Sequence, residues 1–293
     1  MQIPRPTKEG LRSMPATGNQ ASSTLSIQPL SPTIGAEVSG FRMDGECSDQ
    51  AIAEIRQALL DWKVIFFRDQ DVSCEDHIAF GRRFGELEIH PFATNHPDHP
   101  EIVVIHHDEN SKSGQNSWHS DVTWREEPSL GSILRGRVIP PVGGDTLFAD
   151  MHAAYENLSD ELRSEIDDLH AVHSYTRVFG HHLSAEKQLE MRERYPDVRH
   201  PVVRTHPETG ARGLYVNFSF VSHLEGFEEA ESRRVLRKLY KQASIPEFQC
   251  RFRWRKESVA FWDNRAVQHY AAFDYRPATR RVERVTVAGD RPY

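Results

Sequence analysis

The stretch Trp118-His119-Ser120-Asp121-Val122-Thr123 places an imidazole and a carboxylate two positions apart. Read as a β-strand, in which alternate side chains share a face, it aims both groups the same way. One nitrogen and one oxygen donor on one face are two thirds of a 2-His-1-carboxylate facial triad, the arrangement that holds non-haem Fe(II) and leaves coordination positions open. The third ligand must then come from a distant part of the chain.

The spacing alone carries little weight. A His followed two residues later by Asp or Glu also occurs at His96/Asp98, His99/Glu101, His106/Asp108, His107/Glu109, His206/Glu208 and His223/Glu225. With 16 His and 43 acidic residues, chance supplies roughly two such pairs. Most are expected to be solvated loop residues.

What separates His119/Asp121 from the rest is the ordered series that follows it: Gly143-Gly144-Asp145-Thr146, then Trp262-Asp263-Asn264-Arg265 with His269, then Arg280 and Arg284. At these residues the chain resembles the taurine dioxygenase family of Fe(II)- and 2-oxoglutarate-dependent oxygenases. The likeness runs from about Leu25 to Pro292 and takes in Phe84-Gly85-Glu86-Leu87, His200-Pro201-Val202-Val203-Arg204-Thr205-His206-Pro207 and Ala288-Gly289-Asp290-Arg291-Pro292. The resemblance implies His119, Asp121 and His269 as iron ligands, with Thr146 and Arg280 receiving the far carboxylate of 2-oxoglutarate. It places His90, Val122 and Arg284 at the anionic end of the substrate or cosubstrate, and Gln115, Asn116, Phe179 and Phe220 around the substrate. The implied reaction consumes O2, converts 2-oxoglutarate to succinate and CO2, and hydroxylates a carbon of a small organic anion. Where that carbon bears a sulfonate, sulfate ester or aryl ether, the product falls apart to a carbonyl compound and the released group.

The residues by themselves leave other readings open. His269 reads equally as a buried structural histidine, Arg280 as a surface arginine beside Arg276 and Arg281, and either Phe as core. Arg280 and Arg284 are four apart, so on a strand they share a face. A guanidinium there suits a carboxylate through its two-pronged donor, whereas an inward arginine without an anion would be a costly buried charge. A zinc hydrolase accepts His and Asp ligands too, and a non-catalytic jelly-roll binding protein would need neither Arg280 nor open metal positions.

The chain departs from the taurine-specific pattern at the substrate's amine end. Ala93 stands where taurine-specific members carry tyrosine, and Gln115 where they carry asparagine, with Asn116 adjacent. An ammonium group would be poorly satisfied there, and Phe92, Phe179 and Phe220 supply apolar walls. A longer or more apolar anion is therefore expected, with taurine itself as the alternative.

Composition bounds the rest. The chain has 293 residues, 38% hydrophobic, with a net charge of −7, which argues against nucleic acid or an anionic membrane as a partner. Cys47, Cys74 and Cys250 are an odd number without metal-type spacing, which suits reduced thiols. No apolar run approaches the ~20 residues of a membrane span, and no signal-peptide block is evident, so the expected location is cytoplasmic. The family tendency suggests a homo-oligomer, a dimer or tetramer.

Residues 1–23, rich in Pro, Gly, Ser, Thr and Gln, read as a disordered tail, leaving 24–293 as one dioxygenase domain. Helices are expected after the caps Ser48, Ser73 and Ser159 and over about 228–243. Strands are expected over 64–67, 102–105, 131–139, 169–175, 202–205, 213–217 and 248–254, and around His119 and His269. Many short strands, few helices and no βαβ repeat give a mainly β protein with a double-stranded β-helix (jelly roll) core flanked by α-helices. Arg177 to Arg199 shows no clear periodicity. It reads either as a mobile lid, by its family position, or as a merely variable loop.

Overall fold

The computed structural model describes residues 25–44, 47–111, 116–180 and 183–293. The expected tail, 1–23, lies outside the described residues. In chain order, β1 (Ser26–Pro29) and β2 (Ala36–Ser39) are followed by α1 (Asp49–Trp62), β3 (Val64–Phe67) and α2 (Cys74–Arg82). Then come β4 (Val103–His107), β5 (Gly131–Val138), β6 (Thr146–Asp150), α3 (Met151–Glu156), α4 (Asp160–Ile166) and β7 (His170–His173). Next are α5 (Thr176–Phe179), α6 (Ala185–Arg194), β8 (Val198–Pro201), β9 (Val203–Thr205), β10 (Arg212–Leu214) and β11 (Val221–Leu224). Helix α7 (Glu229–Tyr240) leads into β12 (Gln249–Phe252), β13 (Val259–Asp263), β14 (Val267–Ala271) and β15 (Arg280–Val287).

Local chemistry sets the helix starts. Ser48 accepts the Ala51 amide at the head of α1, and Ser73 and Asp76 form a reciprocal capping box at the head of α2. Each cap satisfies an amide that would otherwise lack a partner and contributes about 1 kcal/mol. Ile52, Ile55, Ala58 and Leu59 fall on one face of α1 and are the residues it buries.

Seven strands in the order β1-β2-β3-β13-β5-β15-β4 make the major sheet, and β12-β6-β14 a smaller one. Between them lies a core of Phe66, Phe148, Phe252, Trp254 and Trp262, with Phe66 and Phe252 stacked at 4.1 Å. This is the expected jelly roll. Alternation in β12 is as read from the sequence, with Cys250 and Phe252 buried and Arg251 and Arg253 exposed, so those arginines are simply the wet face of a strand. The three cysteines are free thiols. No helix among the described residues is long and apolar enough to cross a membrane.

Two expectations are corrected. His119 is not on a regular strand: it pairs with His269 through an isolated bridge, its N–H donating to the His269 carbonyl at 3.1 Å and its own carbonyl accepting at 2.8 Å. The chain then turns at once over 121–124, with Val122 at φ 47, a conformation that a β-branched residue rarely adopts. The second concerns 177–199 in its reading as a merely variable loop: among its described residues it carries the end of α5, all of α6 and the start of β8, and Ser184 caps α6 by accepting the Lys187 amide. Periodicity was hidden there because α6 buries only Met191.

Candidate active site

His119 comes from the bridge, Asp121 from the turn and His269 from β14. Their ligand atoms all lie within 4.8 Å of one another. Asp121 Oδ1 is 3.9 Å from His119 Nε2 and 4.0 Å from His269 Nε2. Among the described residues no other group of three His, Cys, Asp or Glu converges in this way. The rival pair His106/Asp108 is 3.8 Å apart and largely exposed, and belongs to no such group.

Protonation suits a cation. The His119 Nδ1–H donates to the Ser117 carbonyl at 2.9 Å, which turns Nε2 toward Asp121. Burial, reinforced by the neighbouring His119, pushes the His269 imidazolium pKa down to about 3, so that ring is neutral. Burial works to raise the Asp121 carboxyl, but Arg284, His269, His119 and the Ser132 hydroxyl outweigh it and hold the carboxylate ionised, well below its usual range. The neutral His269 ring, the Asp121 carboxylate and a second imidazole at His119 are the kinds of donor a divalent ion takes.

A buried hydrogen-bond hub fixes the Asp121 turn. Ser132 donates to Asp121 Oδ2 at 2.7 Å, and Asn264 Oδ1 accepts both the Asp121 N–H at 3.1 Å and the Trp262 indole N–H at 2.9 Å. Asn264 Nδ2 in turn donates to Ser129 and Ser132 at 2.9 and 3.1 Å. Asp263 is clamped by Arg265 at 2.6 Å and His206 at 3.0 Å. The motif Trp262-Asp263-Asn264-Arg265 thus anchors a turn far away in sequence. Asn264 stood in that motif without an assigned role. Ser132 was missed, and a lone serine in an apolar strand gave no signal. Asn264→Ala should leave the Asp121 amide and the Trp262 indole without partners, at a cost of about 1 to 3 kcal/mol each, and weaken Fe(II) affinity roughly ten-fold or more. Thermal unfolding together with Fe(II) titration measures both, and unchanged values in both would remove Asn264 from the site.

Beside the triad is a cavity of about 220 Å3 lined by Thr146, His269, Arg280, Leu134 and Val282. Arg280 is 4% exposed, and its Nε has no hydrogen-bond partner among the described residues. Its guanidinium lies 5.8 Å from the Trp254 ring and 6.0 Å from Tyr275. The Trp254 indole N–H donates to Thr146 Oγ1 at 2.9 Å. The Gly143-Gly144 turn makes room: both residues have positive φ, and a Cβ on Gly144 would meet Arg280 Cδ at 3.2 Å. A buried guanidinium with an orphaned donor, next to a hydroxyl, is a fitting cradle for a carboxylate.

A second cavity, of about 500 Å3, opens on the other side of Asp121 and is lined by His90, Ala93, Asn116, Val122, Phe179, Phe220 and Arg284. The amides of Phe92 and Ala93 donate to His90 Nδ1 at 3.2 and 3.0 Å, which leaves the ring proton on Nε2. Burial, with Arg284 and Arg125 nearby, pushes the His90 pKa down to about 3, so it is a neutral donor. Phe92 stacks between Tyr175 and Phe179, each at 5.0 Å, which packs α5 over the His90 segment. Arg284 Nη1 donates to Asp121 Oδ1 at 2.6 Å, while its Nε is buried without a partner among the described residues. Arg284 therefore touches the triad itself, a contact the sequence did not suggest. The structure brings together every expected site residue except Gln115, which lies outside the described residues.

Comparison with known proteins gives a consistent picture. A family model described as "Taurine catabolism dioxygenase TauD, TfdA family" matches residues 26–286. The chain is 35% identical, over 92% of its length and 91% of the relative's, to the alpha-ketoglutarate-dependent sulfate ester dioxygenase of Pseudomonas putida. A crystal structure of a taurine dioxygenase from Burkholderia xenovorans superposes with a TM-score of 0.80 at 40% identity, covering 92% of this chain and 91% of the other. That of AAD-2 in complex with Mn(II) and N-oxalylglycine gives a TM-score of 0.78 at 30% identity, covering 92% and 99%.

Proposed function

The chain belongs to the taurine catabolism dioxygenase TauD, TfdA family, and on that premise we propose that His119, Asp121 and His269 hold its Fe(II), that Thr146 and Arg280 hold its 2-oxoglutarate, and that its substrate is an alkyl sulfate or a similar apolar organic anion. The enzyme is a 2-oxoglutarate-dependent dioxygenase that hydroxylates a small organic anion. The observation that carries the site assignment is the convergence of three ligand atoms within 4.8 Å between a cavity ending at Arg280 and a cavity ending at His90.

Bound together, Fe(II), 2-oxoglutarate and O2 supply the oxidising equivalent that inserts one oxygen atom into a C–H bond while the cosubstrate becomes succinate and CO2. The residues do the rest. Arg280 and Thr146 anchor the far carboxylate by charge-assisted hydrogen bonds, fixing the cosubstrate's reach. His90 offers its Nε2–H, and Arg284 its guanidinium, to the substrate anion. Phe179, Phe220 and Val122 wall off water from the reacting carbon. With a sulfate ester, hydroxylation of the carbon bearing the ester oxygen gives a product that loses sulfate as the new hydroxyl becomes the aldehyde carbonyl.

Ala93 brings no hydroxyl to the lining of the cavity, so an ammonium group gains no partner from it, and this favours an apolar anion over taurine. Succinate release should give taurine a kcat/KM about ten-fold or more below that of a short alkyl sulfate, the cost of an unsatisfied charged donor. A panel of taurine, alkyl sulfates, alkyl sulfonates and aryloxyalkanoates tests this, and taurine giving the highest value would contradict it. We also place 24–293 as one catalytic domain and the enzyme in the cytoplasm as a homo-oligomer, a reading supported by its free thiols and by family tendency.

A further inference from the structure

A cavity beside the substrate site plays no part in the chemistry above. It has a volume of about 810 Å3 and lies under α7, with Trp118, Phe218, Leu236, Tyr240 and Tyr270 in its lining and Arg233, Arg237 and Lys241 among its polar residues. Asn116, Ser117, Arg177 and Phe218 line both this cavity and the substrate cavity, so the two share a wall. Two contacts hold that wall: the Ser117 and Ser219 hydroxyls at 2.7 Å, and the Arg177 guanidinium donating to the Phe218 carbonyl at 3.2 Å. Arg177 is exposed and Phe218 is 44% exposed, and the Arg177 guanidinium lies 5.7 Å from the Phe218 ring, so these two side chains form the divide between the two spaces.

We propose that this cavity is the subsite for the distal end of a linear alkyl tail, whose anionic head lies at His90 and Arg284 and whose chain passes over Phe218. The inference rests on the proposed function and extends it to a substrate class: unbranched alkyl sulfates or sulfonates longer than the first cavity holds. Chemistry and placement both point this way. The head's partners, His90 and Arg284, line the substrate cavity, and a tail that outgrows it reaches the residues that this cavity shares with the one under α7. Beyond the shared wall Trp118, Leu236, Tyr240 and Tyr270 offer aromatic and aliphatic surface for a tail to cover. Arg233, Arg237 and Lys241 are compatible with a tail there, because long cationic side chains cover apolar surface with their methylene stems while their charges stay in water.

The test measures affinity apart from turnover. In anaerobic protein loaded with Mn(II) and 2-oxoglutarate, calorimetric Kd is measured for butyl, hexyl, octyl and decyl sulfate below their micelle concentrations. Once the tail exceeds the first cavity, Kd should tighten about three- to four-fold per added methylene, the increment for burying one CH2. Ser222, on the exposed surface of β11, and the exposed Ser244 both line the cavity under α7 and are absent from the substrate cavity. Ser222→Trp, or Ser244→Trp as an independent block, should bring octyl and decyl affinity down to that of butyl while leaving butyl unchanged. A Kd that is flat from butyl to decyl, or equal weakening of butyl and decyl in both variants, overturns the subsite and leaves the dioxygenase assignment standing. Absence of succinate from every anion, by contrast, would sink the proposed function itself.

Discussion

Alanine at His119 or His269 is expected to abolish Fe(II)-dependent succinate formation while the protein stays folded, and alanine at Asp121 to abolish it with a loss of stability. The difference follows from charge. His269 is a neutral, buried ring, and His119 is partly exposed, so removing either leaves no uncompensated ion behind. Asp121 is the partner of Arg284, itself 9% exposed, and without the carboxylate that guanidinium is a buried charge lacking its counter-ion. Breaking such a pair costs about 3 to 5 kcal/mol. The same substitutions at His106 and Asp108 should leave most activity, because that pair sits on the exposed end of β4 outside the converging group. Assays of succinate release and thermal unfolding across the five variants check both halves. An essential His106/Asp108 pair with a dispensable His119 would overturn the ligand assignment.

Arg280→Ala should raise the KM for 2-oxoglutarate roughly ten-fold or more, since a charge-assisted hydrogen bond to a carboxylate is worth about 1.5 to 3 kcal/mol. Arg280→Lys should recover only part of this, because an ammonium is a point charge and cannot reproduce the planar two-pronged donor. Thr146→Ala should do less, as it removes one neutral hydroxyl whose oxygen also accepts the Trp254 indole. An unchanged cosubstrate requirement in Arg280→Ala would move the carboxylate site, and Arg284, which lines the same cavity, would be the first replacement.

The parts of the fold legible in the sequence are those decided locally. Val64–Phe67 is a strand over the expected bounds because a run of four β-branched and aromatic residues is too short for a buried helix and suits a strand covered on both faces. Ser48, Ser73 and Ser159 each cap the helix expected of them, since an N-cap depends on three or four neighbouring residues. The local form of the site was harder to read. Two residues apart on a strand, or on a bridge followed by a turn, His119 and Asp121 show the same spacing. What selects the turn is Asn264 and Ser132, 143 and 11 positions away from Asp121. The contact of Arg284 with Asp121 was invisible for the same reason: it joins residues 163 apart, and no periodicity encodes it. Helix α6 escaped notice because it buries one residue, and amphipathic spacing cannot be seen in a helix that has almost no apolar face.

Anaerobic titration of the protein with Fe(II) and 2-oxoglutarate, followed in the visible range, shows whether one site holds both together. A weak metal-to-ligand charge-transfer band is expected only when Fe(II) and 2-oxoglutarate are both present, and it should be lost in the His269→Ala variant. No band at saturating concentrations of both, or a band that survives loss of His269, would contradict such a site.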